Sequence, residues 1–348
     1  MQSYQASSSV FDGIPFQHFS PRKAHGRSQY QIDFFPNGKG GATICLRYGA
    51  PGNYRIVVYD GGTPKTGREL IEHIRGQYGT DVVDDVICSY PNADQCLGLC
   101  EIVEEMDVRC LWMHRPWRYS PSIARYFRRK YLPAPAVAAH FDERFAIPYI
   151  LEDIAIKRGI PVCEPFQGMQ IGPFTVMSPH RDWYVHKAIP DFEIPLSVRR
   201  LAASAPDRRP QNAAMRFIRS LMLPASLEGG YTSAESESSV VLFGDIGGQG
   251  ILLTGNAGIA ALSNTARYAE KQRILIPANL GLVQIPYRGG DNHLASSLLD
   301  RIVGPELPTD AMDRNLTALI FMPAGDMPFS NRLLVNTLLR RGAQVVRE

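Results

Sequence analysis

The sequence predicts an α/β fold, a sandwich of two mixed β-sheets with helices on the outside. Two observations carry this: a hairpin followed by helix–strand alternation opens the chain, and the same order returns in its second half. A third sets the scale, since 348 residues with 45% apolar and 20% charged side chains can bury a large core.

The first half begins with TICLRYG (43–49) and YRIVVYDGG (54–62), β-branched and aromatic runs parted by Ala-Pro-Gly-Asn, a hairpin signal. GRELIEHIRGQYG (67–79) spaces its apolar residues as a helix does and is flanked by glycine. VVDDVICSY (82–90) reads as a buried strand, LGLCEIVEEM (97–106) as a helix and VRCLWMH (108–114) as a strand. Helices are expected in IARYFRRKYL (123–132) and AIPYILEDIAIKRGIPV (146–162), the latter ending at Gly159, and a strand pair in MQIGPFTVMSP (169–179).

SSVVLFGDIGGQGILLTGNAG (238–258) is the second hairpin, turning through Gly247 and Gly248. ALSNTARYAEKQ is a helix, GLVQIPYRGG (281–290) a strand and turn, and HLASSLLDRIVG a helix. ALIFMPAG (318–325) and a last helix in RLLVNTLLRRG complete the order. The expected organisation is a polar arm over 1–28 and one domain over 29–348. An irregular insertion rich in Pro, Ser, Ala and Arg is expected near 190–235.

Composition excludes some functions. No window approaches 18 uninterrupted apolar residues, so no membrane span is expected. The first 29 residues lack the basic-then-apolar order of a signal peptide, and cytoplasm is the expected location. A formal charge of +3 and a pI near 8.5 are too mild to mark a nucleic-acid binder. The six cysteines form no C-x-x-C pair and are expected to be reduced and buried.

Eight landmarks in order carry a resemblance: GKGGATICLRYG, VVYDGG, SYPNADQCLGL, LWMHRPW, FTVMSP, LLTGNAG, QIPYRGG and PFSNRLLVNTLLRRGAQV. From about residue 30 onward the chain resembles the metallo-β-lactamase superfamily, in its ComEC-like branch. The resemblance implies an αββα sandwich. In active members the third landmark reads T-H-x-D/H-x-D-H, the sixth G-D, the seventh H-H-G and the last H-P, and these residues bind metal.

Carried over position by position, the ligand set is replaced almost throughout. Tyr90, Asn92 and Gln95 stand for histidine-type positions, and only Asp94 matches. Asn256 stands for the bridging Asp, Tyr287 and Arg288 for the His pair, Ser330 and Asn331 for His-Pro, and Gly41 for an early Asp. Asp60 of VVYDGG is kept. Zinc needs imidazole, thiolate or carboxylate donors, whereas Tyr, Asn and Gln are neutral and poor ligands. Arg288 would add a fixed positive charge. Without metal no bound water reaches a pKa near ~7, so the hydroxide nucleophile is lost.

The expectation is therefore a pseudoenzyme with no catalytic residue, metal or cofactor. Its vestigial pocket would be Asp60, Tyr90, Asn92, Asp94, Gln95, Asn256, Tyr287, Arg288 and Ser330. Asp60 and Asp94 are expected to share a partly buried pocket, with Arg288 pairing to Asp94. The competing reading is an atypical metal-dependent hydrolase or nuclease around Asp60, Asp94 and a nearby histidine. His180, His186 and His293 are read as surface or hydrogen-bonded residues, and Cys88, Cys96 and Cys100 as packing residues rather than a soft-metal site. GDIGGQG joins two strands and so is a weak phosphate-loop signal.

Two surfaces are candidates for binding. HRPWRYSPSIARYFRRKYLP (114–133) interleaves Arg118, Arg125, Arg128, Arg129 and Lys130 with aromatics. Nucleic acid is one reading of this stretch, and an amphipathic helix with a basic face for an acidic partner is the preferred one. Arg199, Arg200, Arg208, Arg209, Arg216 and Arg219 in the insertion form the preferred protein–protein surface. The expected role is a structural or regulatory subunit of a bacterial multiprotein system, such as a defence system. Its partner would be encoded nearby, in a hetero- or homo-oligomer.

Overall fold

In a computed structural model of the chain, the described residues are 17–19, 29–36, 42–119, 145–192, 227, 230–286, 293–308, 316–320 and 329–347. They build two seven-stranded sheets. The first runs in sequence order through β1 (Gln17–Phe19), β2 (Gln29–Pro36), β3 (Ala42–Ala50), β4 (Asn53–Tyr59), β5 (Val82–Ile87), β6 (Asp107–Trp112) and β7 (Val162–Cys163). Neighbours are antiparallel up to β4 and parallel from there on.

The second sheet repeats the plan with β8 (Gln170–Ile171), β9 (Phe174–Ser178), β10 (Val241–Ile246), β11 (Gln249–Leu253), β12 (Leu280–Gln284), β13 (Leu316–Ile320) and β14 (Ala343–Arg347). It is antiparallel from β8 to β11 and parallel from β11 to β14. The β10–β11 hairpin turns through Gly247 and Gly248 as expected, with φ of 66° and 84° that only glycine adopts easily.

Strand alternation divides the apolar residues into layers. Ile32, Phe34, Leu46 and Val57 of the first sheet meet Val176, Leu242, Ile251 and Leu282 of the second. The outer face of the first sheet is covered by α1 (Pro64–His73), α2 (Ala93–Glu105) and α3 (Ala146–Lys157), through Leu70, Ile71, Leu99, Ile102 and Leu151. The outer face of the second is covered by α4 (Ile259–Gln272), α5 (Ser296–Ile302) and α6 (Phe329–Leu339), through Leu262, Ala266, Leu298, Leu334 and Leu338. Helix, sheet, sheet, helix is the layering expected from the two repeated halves.

Several elements were not anticipated. β2 reads QYQIDFFP, with Tyr30, Ile32 and Phe34 on the inner core and polar Gln31 and Asp33 on the other face. That is period-two patterning weakened by charge. Asp33 is buried because it accepts from His73 Nε2 at 2.9 Å, Gln31 Nε2 at 3.1 Å and the Tyr78 hydroxyl. β7 and β14 are also additions. The predicted helix 123–132 and residues 193–226 of the insertion lie outside the described residues.

Candidate functional site

The site lies where the strands of both sheets end. β4 terminates in Asp60, whose backbone is left-handed with φ 59°. The Asp60 amide donates to the Ile87 carbonyl at 2.8 Å, and its Oδ1 accepts from the Ser89 amide at 2.7 Å. Burial pushes its carboxyl up from 3.8 to about 7, against the pull of the Ser89 amide. Asp60 thus works as a buried clip between the ends of β4 and β5.

The glycines after it have a packing reason. A Cβ on Gly61 would strike the Leu99 backbone, and one on Gly98 the Gly61 carbonyl. Gly61 N–H donates to Gln95 O and Gly98 N–H to Gly62 O, both at 2.9 Å. These close approaches seat α2 against the end of β4.

Beyond β5 the chain turns through residues 88–92 into α2, which starts at Ala93 and not at Leu97 as the sequence suggested. The cause is Asn92, whose side chain accepts from the Asp94 amide at 3.3 Å and caps the helix. Asp94 therefore stands in the first helical turn and is exposed, while Asp60 is 5% exposed. The two aspartates do not share a buried pocket. Gln95 is buried in the same turn, and its Oε1 has no hydrogen-bond partner.

Tyr90, Asn92 and Asn256 do converge. The Tyr90 hydroxyl oxygen accepts from Asn92 Nδ2 and from Asn256 Nδ2, each at 3.0 Å. Burial raises the Tyr90 phenol to about 12, opposed by these two amide donors. Asn256 is delivered by the turn after β11, which Gln284 at the end of β12 holds. Gln284 Oε1 accepts the Thr254 and Gly255 amides at 2.9 and 2.8 Å, and its Nε2 donates to Gly255 O at 3.0 Å. Gly255, at φ 54°, leaves no room for a Cβ beside Tyr59 and Ser89. The two halves are stitched here: Tyr59 OH donates to Val240 O and Val240 N–H to Ser89 O, both at 2.7 Å.

Tyr59, Ser89 and Gln284 were not singled out in the sequence, although they lie inside the landmarks VVYDGG, SYPNADQCLGL and QIPYRGG. Tyr287 and Arg288 fall outside the described residues, and with them the Arg288–Asp94 pairing. Ser330 lies on the first turn of α6. His180 accepts from the Asp182 amide, and His293 is buried, which lowers its imidazole to about 4.

The resemblance implies divalent metal at this place. Tyr90, Asn92 and Asn256 do not fit it: a neutral phenol and two amides are already hydrogen-bonded to one another. Among the described residues, no group of three or more His, Cys, Asp or Glu is placed to hold an ion.

The basic aromatic stretch is described only at its start. Arg118 pairs with Glu152 at 2.6 Å, Trp117 Nε1 donates to Glu152 at 2.7 Å, and Tyr119 OH donates to Glu164 at 2.9 Å. Arg118 is thus tied to α3. Arg125, Arg128, Arg129 and Lys130 lie outside the described residues. No described helix is long and apolar enough to cross a membrane.

No family model and no curated protein matches the chain. Solved structures do match. The metallo-beta-lactamase fold protein YhfI from Bacillus subtilis is 10% identical, covering 91% of this chain and 96% of its own, with a TM-score of 0.41. A metallo beta lactamase from Hirschia baltica is 12% identical over 82% of this chain and 95% of its own, with a TM-score of 0.35. A putative metallo-beta-lactamase from Thermotoga maritima is 9% identical over 69% and 78%, with a TM-score of 0.30. At these TM-scores the αββα architecture rests on the chain's own sheet order and packing.

Proposed function

We propose that this chain is a non-catalytic protein of metallo-β-lactamase-like fold, a metal-free structural or regulatory subunit whose partner is another protein. One observation carries the reading. Where the resemblance would place metal ligands, the Tyr90 oxygen takes hydrogen bonds from Asn92 and Asn256. A neutral, mutually paired cluster has little attraction for a divalent cation, and without the cation there is no hydroxide. Asp94, the one ligand position retained by type, stands exposed on α2.

An enzymatic alternative would have to use Asp60, whose carboxyl is poised near neutrality. Its Oδ1 is engaged by the Ser89 amide and the residue is buried, which suits a strut better than a base. The nucleic-acid reading receives no support from Arg118, which is paired with Glu152.

Metal analysis of the purified full chain after dialysis against zinc or manganese tests the proposal. Substoichiometric metal is expected, with no phosphodiesterase or β-lactamase turnover. Stoichiometric metal, with turnover abolished in Asp60→Ala or Asp94→Ala, would refute it. Affinity purification from the native host should return a protein partner that survives nuclease treatment.

A further inference from the structure

We propose that Cys88 and Cys96 form a thiol–disulfide clasp on the loop that carries Tyr90 and Asn92. Their Sγ atoms lie 3.3 Å apart, inside ordinary sulfur–sulfur contact, and both residues are fully buried. Both thiols are free, and Cys88 donates its S–H to the Tyr90 carbonyl at 3.1 Å.

The proximity is imposed by the fold. Cys88 N–H is held by Trp112 O at 2.9 Å, an extension of the β5–β6 ladder. Cys96 N–H is held by Asn92 O at 3.0 Å in the first turns of α2. Strand end and helix start are both anchored, so the sulfurs meet without the cost of ordering a flexible loop. Closing the remaining gap to a disulfide bond of ~2.05 Å takes a shift of little more than an ångström. The bond would turn residues 88–96 into a covalent ring. It would also remove the S–H that holds the Tyr90 carbonyl, coupling the oxidation state to the polar cluster.

The chemistry is thiol–disulfide exchange with a low-molecular-weight disulfide such as glutathione disulfide. When the loop opens, Cys96 loses its proton and attacks one sulfur of the reagent, releasing one glutathione thiolate, which takes up a proton. Cys88 then loses its proton and attacks the Cys96 sulfur of the mixed disulfide, and the second glutathione leaves as a thiol. Two protein thiols are oxidised and one disulfide is reduced to two thiols. The S–H···S bond and burial hold the Cys88 thiol well above its ordinary range, so thiolate is scarce and exchange is slow. Enforced proximity sets the equilibrium, and burial sets the rate. Cys100, half-buried one turn along α2, and the half-buried pair Cys110 and Cys163 are the competitors.

The clasp goes beyond the metal-free reading and stands or falls whatever the metal content. The test equilibrates the full-length protein in glutathione buffers from reducing to oxidising, traps thiols by alkylation, and reads intact mass and linked peptides. The wild type should lose two hydrogens in one transition, with the link mapped to Cys88 and Cys96. Cys88→Ala and Cys96→Ala should each abolish that link, and Cys100→Ala should keep it. Hydrogen exchange across 89–95 should slow at least tenfold in the oxidised protein, a readout that needs no variant. No transition in the most oxidising buffer, a link between any other pair, or unchanged exchange would overturn the proposal.

Discussion

Asp60 sits where β4 gives out, left-handed in backbone and almost sealed from water, and its proton is therefore expensive to lose. With its folded value near 7 and its ordinary one at 3.8, the folded state binds more proton than the unfolded state across that interval. Stability contributed by the protonated form is complete below about pH 4 and falls as pH rises toward 7, by about 4 kcal/mol in all. Asp60→Asn keeps an acceptor for the Ser89 amide and suits the left-handed backbone. It should flatten this slope, which urea denaturation at a series of pH values will read; an unchanged slope would assign the titration elsewhere. Asp60 was legible as a pocket residue because VVYDGG frames it. Its partner Asp94 was misplaced because the motif was read as a loop, whereas Asn92 caps α2 early and turns Asp94 outward.

Among the elements, the crossing of α1 and α2 is governed by Gly67 and Gly98, since a Cβ on Gly67 would strike the Gly98 backbone. In an isolated helix Gly98→Ala would stabilise by about 1 kcal/mol. Here the added Cβ would overlap the Gly61 and Thr63 carbonyl oxygens and crowd the turn that positions Asp60. The contact wins, and a net loss of about 1–3 kcal/mol is expected by denaturant titration. A stabilised variant would mean that α2 can shift without cost. At this scale the two hairpins and helices α1 to α6 were legible from periodicity and glycine turns. β2 was not, since Asp33 in its middle lowers the apolar signal until His73 and Tyr78 supply its partners from distant positions. The cluster at Tyr90 was legible in its members and not in its contacts. Only the superposition of the two halves brings Asn256 to a residue 166 positions earlier.

For the molecule as a whole, each half presents one apolar face to the other. Among the described residues, Ile32, Phe34, Leu46 and Val57 are packed in one cluster with Val176, Leu242, Ile251, Leu282 and their neighbours. The polar stitch follows the same logic, because Ser89 and Tyr59 from the first half both bind Val240 from the second. A fragment ending at residue 192 retains β8 and β9 and lacks β10 to β14. Most of its inner face would be bare, and it should bind a hydrophobic dye and sediment as aggregate, where the full chain does not. Co-expression with residues 227–348 should restore soluble material, and a soluble, dye-silent fragment on its own would contradict the shared core. The joint between Val240, Ser89 and Tyr59 has a kinetic consequence as well. The Tyr59–Val240 contact spans 181 residues, so the pocket stays open until the first 240 residues have left the ribosome, well after the first sheet's strands are free to pair.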